Sequence, residues 1–139
     1  MGGVRRGGDL GRDCCRRDRA GRVRRGEVWA VELDPARGSE ASKTRRCVIV
    51  SRDASNKAVE THGRGVITVV PLTSSVARVL PFQALIPAEP GNGLDHDSKA
   101  QAEQVRSVDV SRLVARVGTL RSEHVGAVDD ALITHLGLD

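Results

Sequence analysis

Residues 24–50 read R-R-G-E-V-W-A-V-E-L-D-P-A-R-G-S-E-A-S-K-T-R-R-C-V-I-V. Over Val28–Leu33 the residues alternate, with Trp29, Val31 and Leu33 on one face and Ala30 and Glu32 on the other. That is the period of a strand with one buried face. Asp34-Pro35 stops the strand, and a polar loop with Gly38, Ser39 and Glu40 runs on to Thr44. The loop is longer than a tight hairpin needs, and long loops in compact domains are often functional. Cys47–Val50 is apolar without alternation, as expected of a strand covered on both faces. Arg45 and Arg46 stand at its entrance. A polar loop beside two guanidiniums suits a phosphate-bearing ligand.

Downstream, Asp53 is placed to cap a short helical turn, and Val59–Arg64 reads as a loop closed by Gly63 and Gly65. Val66–Val70 is mostly β-branched and reads as a strand ended by Pro71, with Leu72, Thr73, Ser74 and Ser75 following. Pro81–Ile86 suggests an edge strand between two prolines, and Glu89–Gly93 a turn-rich loop. Ser98–Val108 reads as one extended polar segment and Arg112–Leu120 as a final strand. Ser122 then caps a helix whose stripe of Val125, Val128, Leu132 and Leu136 lies over the core, with Glu123 in its first turn and Gly137 at its end. Short strands joined by turns, with one terminal helix, predict a small barrel covered by a helix.

Composition narrows the function. The 139 residues suit one domain with a modest core, built from Val, Leu, Ile and Ala because Trp29 and Phe82 are the only aromatics. Neither a membrane helix nor a signal peptide is expected, so the expected compartment is the cytoplasm. The three cysteines, Cys14, Cys15 and Cys47, imply no disulfide framework. Four scattered histidines imply no zinc site, so no cofactor is expected. Residues 1–24 carry eight arginines against three acids, which leaves 14 basic and 15 acidic residues in 25–139. Nucleic-acid affinity in the globular part must therefore come from placed cations. Residues 1–23 are expected to be a disordered basic extension, either a nucleic-acid arm or a segment outside the domain, and 24–139 the folded domain.

R-G-E-V-W-A-V-E-L-D-P-A-R-G-S-E at the start, P-L-T-S-S in the middle, and E-Q-V-R-S-V-D-V-S-R-L followed by V-G-T-L resemble the MazF/PemK toxin family. The resemblance runs in order over about residues 24–138. It implies an α+β fold, a small SH3-like β-barrel of the CcdB/MazF type with a C-terminal α-helix. It also implies a homodimeric, metal-independent endoribonuclease that acts on single-stranded RNA and is inhibited by an acidic, partly disordered antitoxin. The family's catalytic pair, an Arg in an R-P dipeptide and a Thr or Ser after the central strand, falls on Arg46 and Thr73. The usual Pro is Cys47 here, which restores a backbone donor and frees φ at the strand entrance.

The residues suit that chemistry in their own right. If the strand at Arg46–Val50 pairs antiparallel with Val66–Val70, Arg46 approaches Thr73, and Glu40 can reach the same edge. Attack by an RNA 2′-hydroxyl builds negative charge on the phosphorane oxygens. Arg46 can grip two of them through its planar fork, and Thr73 can donate to the same oxygens. A base is also required, and Glu40 or Glu103 can serve. A groove gripping RNA would use Lys43, Arg45, Ser74, Ser75, Glu103, Gln104 and Arg106. Two other expectations stay open: a non-catalytic toxin of the same fold that poisons DNA gyrase, or an inactive RNA- or antitoxin-binding relic.

Overall fold

The computed structural model describes residues 23–33 and 43–139. Cys14, Cys15, the N-terminal extension up to residue 22, and the loop residues 34–42 with Glu40 lie outside the described residues. The described chain runs β1 (Glu27–Glu32), β2 (Thr44–Ile49), α1 (Asp53–His62), β3 (Val66–Thr73), β4 (Gln83–Ile86), β5 (Ser98–Gln101), β6 (Arg106–Asp109), β7 (Leu113–Thr119) and α2 (Ser122–Leu136). All strand pairs are antiparallel, in the order β4-β5-β3-β2-β1-β7, with β6 beside the first half of β3.

β3 is the axis of this arrangement. Along one edge it pairs with β2, Cys47 opposite Pro71 and Val48 opposite Val70. Along the other it pairs first with β6, from Val66 opposite Asp109 to Val69 opposite Arg106, and then with β5, Leu72 opposite Ala100 and Thr73 opposite Lys99. Pro71 therefore does not end the strand, as its sequence suggests. It sits where that edge changes partners, an irregular position of the kind a proline tolerates. The segment Ser98–Val108 is likewise not one extended piece. A 3-10 turn at Ala102–Gln104, with Ala102 buried, carries the chain from the β5 pairing to the β6 pairing.

The sheet closes on itself through glycines. The turn after β4 lies backbone to backbone on β7: Thr119 N–H donates to Gly91 O at 2.8 Å. A Cβ on Gly93, which has φ +73°, would stand 2.2 Å from the Val117 carbonyl oxygen, and one on Gly118 would stand 2.3 Å from the Asn92 carbonyl carbon. Only glycine permits that approach. It joins the two ends of the strand order into a barrel. Val28, Val48, Val70, Leu72, Ile86 and Ala100 fill the interior, and Val128 and Ala131 of α2 close it. The helix thus covers the core as its stripe predicts, although Leu136 is exposed and Ala131 takes part instead. Burying each large aliphatic side chain contributes roughly 1.5–3 kcal/mol.

A second core lies on the outer face. Trp29, Val31, Leu33, Cys47, Ile49, Ile67, Val69 and Leu113 pack there with Val59 of α1. Val23 belongs to this cluster, so the last residue of the expected extension is part of the fold. In β2, Val48 points to the inner core while Cys47 and Ile49 point to the outer one, which is why the strand is apolar without alternation. Glu27 is buried, yet its carboxylate accepts from Arg24 N–H, the Trp29 indole and Arg116.

α1 replaces the expected loop over Val59–Arg64. Its cap position is Arg52, with no side-chain cap bond. Asp53 is instead the first helical residue, its carboxylate accepting from Arg25 N–H at 2.7 Å, where the helix dipole favours an acid. Gly63, at φ 70°, ends the helix in the left-handed conformation. In α2, too, the cap position falls one residue before the expected one, on Arg121 without a side-chain bond, and Ser122 is the first helical residue. No helix among the described residues is long and apolar enough to cross a membrane.

Candidate functional site at the entrance of β2

Strand alternation sends Arg45 and Arg46 to opposite faces. Continuing the register of Cys47 with Pro71 sets Arg46 beside Leu72 and Arg45 beside Thr73. Arg46 is exposed and lies on the inner-core face at the barrel's mouth. Among the described residues its guanidinium reaches the carboxylate of Asp95, at 3.4 Å, and Asp95 itself is 73% exposed. Such an exposed pair contributes about 0–1 kcal/mol and is screened by salt, so a phosphate can displace it. Arg45 is half-buried and committed. Its Nη2 donates to Leu72 O and to Gln101 Oε1, both at 2.9 Å, tying β2 to β3 and β5.

Arg45, Arg46, Leu72 and Ser74 form one side of a cavity of about 180 Å³. Leu94, Asp95, His96 and Ser98 form the other. Leu94, Asp95 and His96 arrive on the loop between β4 and β5, and Ser98 begins β5. That loop is fixed at several points: Leu94 N–H donates to Asn92 Oδ1 at 3.1 Å, Ala88 N–H to Asp97 Oδ1 at 2.8 Å, and Ser98 Oγ to His96 O at 2.9 Å. Sequence reasoning missed Asp95, His96 and Ser98. Their only signal is an Asp-His-Asp-Ser run on a turn-rich loop, because their nearness to Arg46 arises from β5 pairing with the end of β3.

The other expected residues are distributed as follows. Thr73 ends β3 half-exposed, opposite Lys99, and is not among the residues that line the cavity. Its Oγ1 accepts from Ser75 N–H at 3.3 Å, which leaves its own proton free to donate. Ser74 lines the cavity, and Ser75 and Lys43 are exposed nearby in the chain. Glu103 does not converge on Arg46. One of its carboxylate oxygens accepts from Gln83 Nε2 at 2.8 Å, bracing β4 against the 3-10 turn, and the other is buried without a partner among the described residues. Gln104 is exposed on that turn, and Arg106 is exposed on β6 opposite Val69. Cys47 is buried between Trp29 and Pro71 in the sheet. Burial pushes its thiol up to about 12, against a smaller downward pull from Arg45 and Arg106. It is a neutral core residue and no nucleophile at physiological pH.

The described chain is thus a small barrel covered by a helix, with an exposed arginine at its mouth. Residues 24–136 match the family model of the PemK-like, MazF-like toxin of type II toxin–antitoxin systems, and the chain belongs to that family. It is 51% identical over 116 residues to endoribonuclease MazF9 of Mycobacterium tuberculosis, covering 84% of this chain and 98% of that protein. It is 54% identical over 55 residues to a probable endoribonuclease, MazF1, of the same organism, covering 40% of this chain and 59% of that one. Among solved structures, it is similar to a MazE–MazF complex from Deinococcus radiodurans, with TM-score 0.67 and 24% identity, covering 84% of this chain and 97% of that one. It is also similar to the Mycobacterium tuberculosis toxin MazF-mt6, with TM-score 0.64 and 24% identity, covering 81% and 98%. The expected family and barrel fold are both borne out.

Proposed function

We propose that this toxin is a sequence-specific endoribonuclease that cleaves single-stranded RNA through the RNA's own 2′-hydroxyl. The reading rests on the open guanidinium of Arg46 at the cavity mouth, in a chain half identical to a protein named endoribonuclease. The 2′-oxygen attacks the adjacent phosphorus, the P–O5′ bond breaks, and a cyclic phosphate and a 5′-hydroxyl remain. Arg46 exchanges Asp95 for the phosphate and binds the oxygens on which charge grows. Thr73, at the end of the neighbouring strand, donates its hydroxyl to the same group from the rim. Lys43, Ser74, Ser75, Gln104 and Arg106 grip the RNA on either side, while Arg45 and Glu103 act by holding strands in place. The nucleophile is internal to the RNA, so the step needs no metal-bound water. The chain works in the cytoplasm as a homodimer, and an acidic antitoxin segment occupies the RNA groove; similar structures hold an endoribonuclease with its cognate antitoxin and a MazE–MazF complex.

The test is incubation of the purified protein with long single-stranded RNA in EDTA. Cleavage with 2′,3′-cyclic phosphate ends is expected, and duplex RNA should resist because its 2′-hydroxyls cannot line up with the scissile phosphate. Activity that vanishes with EDTA and returns with magnesium would overturn the proposed chemistry.

A further inference from the structure

We propose that His96 is the general base of the RNA cleavage proposed above, and the inference rests on that reading. The 2′-hydroxyl has to lose a proton as it attacks, and a side chain ionising near neutral pH does this best. Arg45 and Arg46 stay charged and cannot accept a proton. Ser74 and Ser98 are neutral hydroxyls, and Asp95 is turned to Arg46. Among the described residues that line the cavity, His96 is the one imidazole, the side-chain type suited to taking up and releasing a proton near neutral pH. Glu103, the other described candidate, is engaged with Gln83 and does not line the cavity.

The mounting of His96 fits the role. It is exposed at the cavity wall, on the rigid loop that Asn92, Asp97 and Ser98 hold. It lines the same cavity of about 180 Å³ as Arg46. Asp95 and Asp97 flank it on its own loop, and Arg45 and Arg46 of β2 line the same cavity, so charged groups of both signs lie about the site. The neutral imidazole takes the 2′-hydroxyl proton while the O2′–P bond forms and the P–O5′ bond breaks. The departing 5′-oxygen takes a proton from solvent water, and the imidazolium returns its proton to the resulting hydroxide. No atom is gained or lost beyond the strand break.

The experiment uses the full chain with His96→Ala and His96→Gln, and a short single-stranded RNA carrying a site already mapped with the wild-type protein. Single-turnover rates are read in EDTA from pH 5.5 to 8.5. At pH 8 both variants should lose about 10²- to 10⁴-fold. The wild-type rate should rise with pH along an acid limb in the histidine range, and this limb should be absent in both variants. Added imidazole should raise the His96→Ala rate in proportion to its free base, while melting temperatures stay near wild type because the side chain is exposed. Unchanged rates would overturn the inference. So would slowed variants that keep the acid limb and ignore imidazole, which would mark a ligand-gripping histidine. In both cases wild-type cleavage to cyclic phosphate leaves the underlying reading standing. A wild-type protein that cuts no RNA would overturn both.

Discussion

The two faces of β2 at its entrance carry the same residue type and put it to different uses. On the outer face Arg45 donates to a carbonyl and a carboxamide, stands near the Cys47 thiol, and joins three strands. On the inner face, one residue further on, Arg46 has, among the described residues, one loose and exposed carboxylate partner, although both side chains border the cavity. A guanidinium that is already satisfied adds rigidity; one that is barely satisfied can still be spent on a ligand. The pleat of the strand, rather than any difference in chemistry, assigns the two roles.

That contrast can be broken in several places. Arg46→Ala should lower single-turnover RNA cleavage by about 10²- to 10³-fold, the loss typical of removing a donor to a developing oxyanion. Its melting curve should stay within about 0.5 kcal/mol of wild type, as surface substitutions usually do. Arg45→Ala should do the reverse. Losing charge-assisted bonds to Leu72 O and Gln101 should cost about 1.5–3 kcal/mol of stability in a urea titration, while the rate per folded molecule changes only a few-fold. A destabilised Arg46 variant paired with an inactive but stable Arg45 variant would invert the assignment.

Cys47 sharpens the outer-face half of the contrast through pH. Its folded pKa lies near 12, above the ordinary value of 9.0. Between those values the unfolded chain loses the thiol proton while the folded chain keeps it, so stability falls as pH rises. The contribution is fully present below pH 9 and should fall by about 1.4 kcal/mol per unit above it. Urea titrations of wild type and Cys47→Ala should therefore converge by about 2 kcal/mol between pH 8 and pH 10.5. Parallel curves would mean that the thiol is not held neutral by the fold.

Two smaller effects probe the mouth. Thr73→Ala removes one neutral donor and should slow cleavage about 3- to 10-fold, in line with roughly 0.5–1.5 kcal/mol for such a bond. Asp95→Asn frees Arg46 from its exposed partner. RNA affinity at low salt should improve by up to about fivefold, in line with a pair worth at most about 1 kcal/mol, and the gain should fade as salt rises. A loss of affinity would mean that Asp95 contributes to binding.

Much of this architecture is legible in the residues. β1, β2 and the first half of β3 announce themselves by alternation and β-branching, and the α2 stripe predicts its place over the barrel core. The errors have physical causes. Pro71 is read as a stop because punctuation is judged locally, whereas the change of partner strand that accommodates it is a tertiary event. α1 escapes because its attachment is polar: Asn56 is buried through bonds to Ser51, whose Oγ donates to Asn56 Oδ1 at 2.6 Å, and Val59 is its only large apolar residue. At the site, Arg46 is found from its place at a strand entrance and from the family resemblance. Asp95, His96 and Ser98 are invisible because the loop carrying them meets β2 only through the folded sheet. Which arginine is open depends on register at a frayed polar strand end, where hydrophobic pattern sets no face.

The most direct test of the account asks whether Arg46 holds the scissile phosphate. Single-turnover cleavage in EDTA is measured on RNA with sulfur replacing one or the other non-bridging oxygen at the cut site, for wild type and for Arg46→Ala. The account predicts that one of the two sulfur substitutions slows the wild-type protein markedly, and that Arg46→Ala, already slow, shows little further loss with it. Equal slowing of both proteins by the same sulfur would contradict the account, because it would place the phosphate in other hands than those of Arg46.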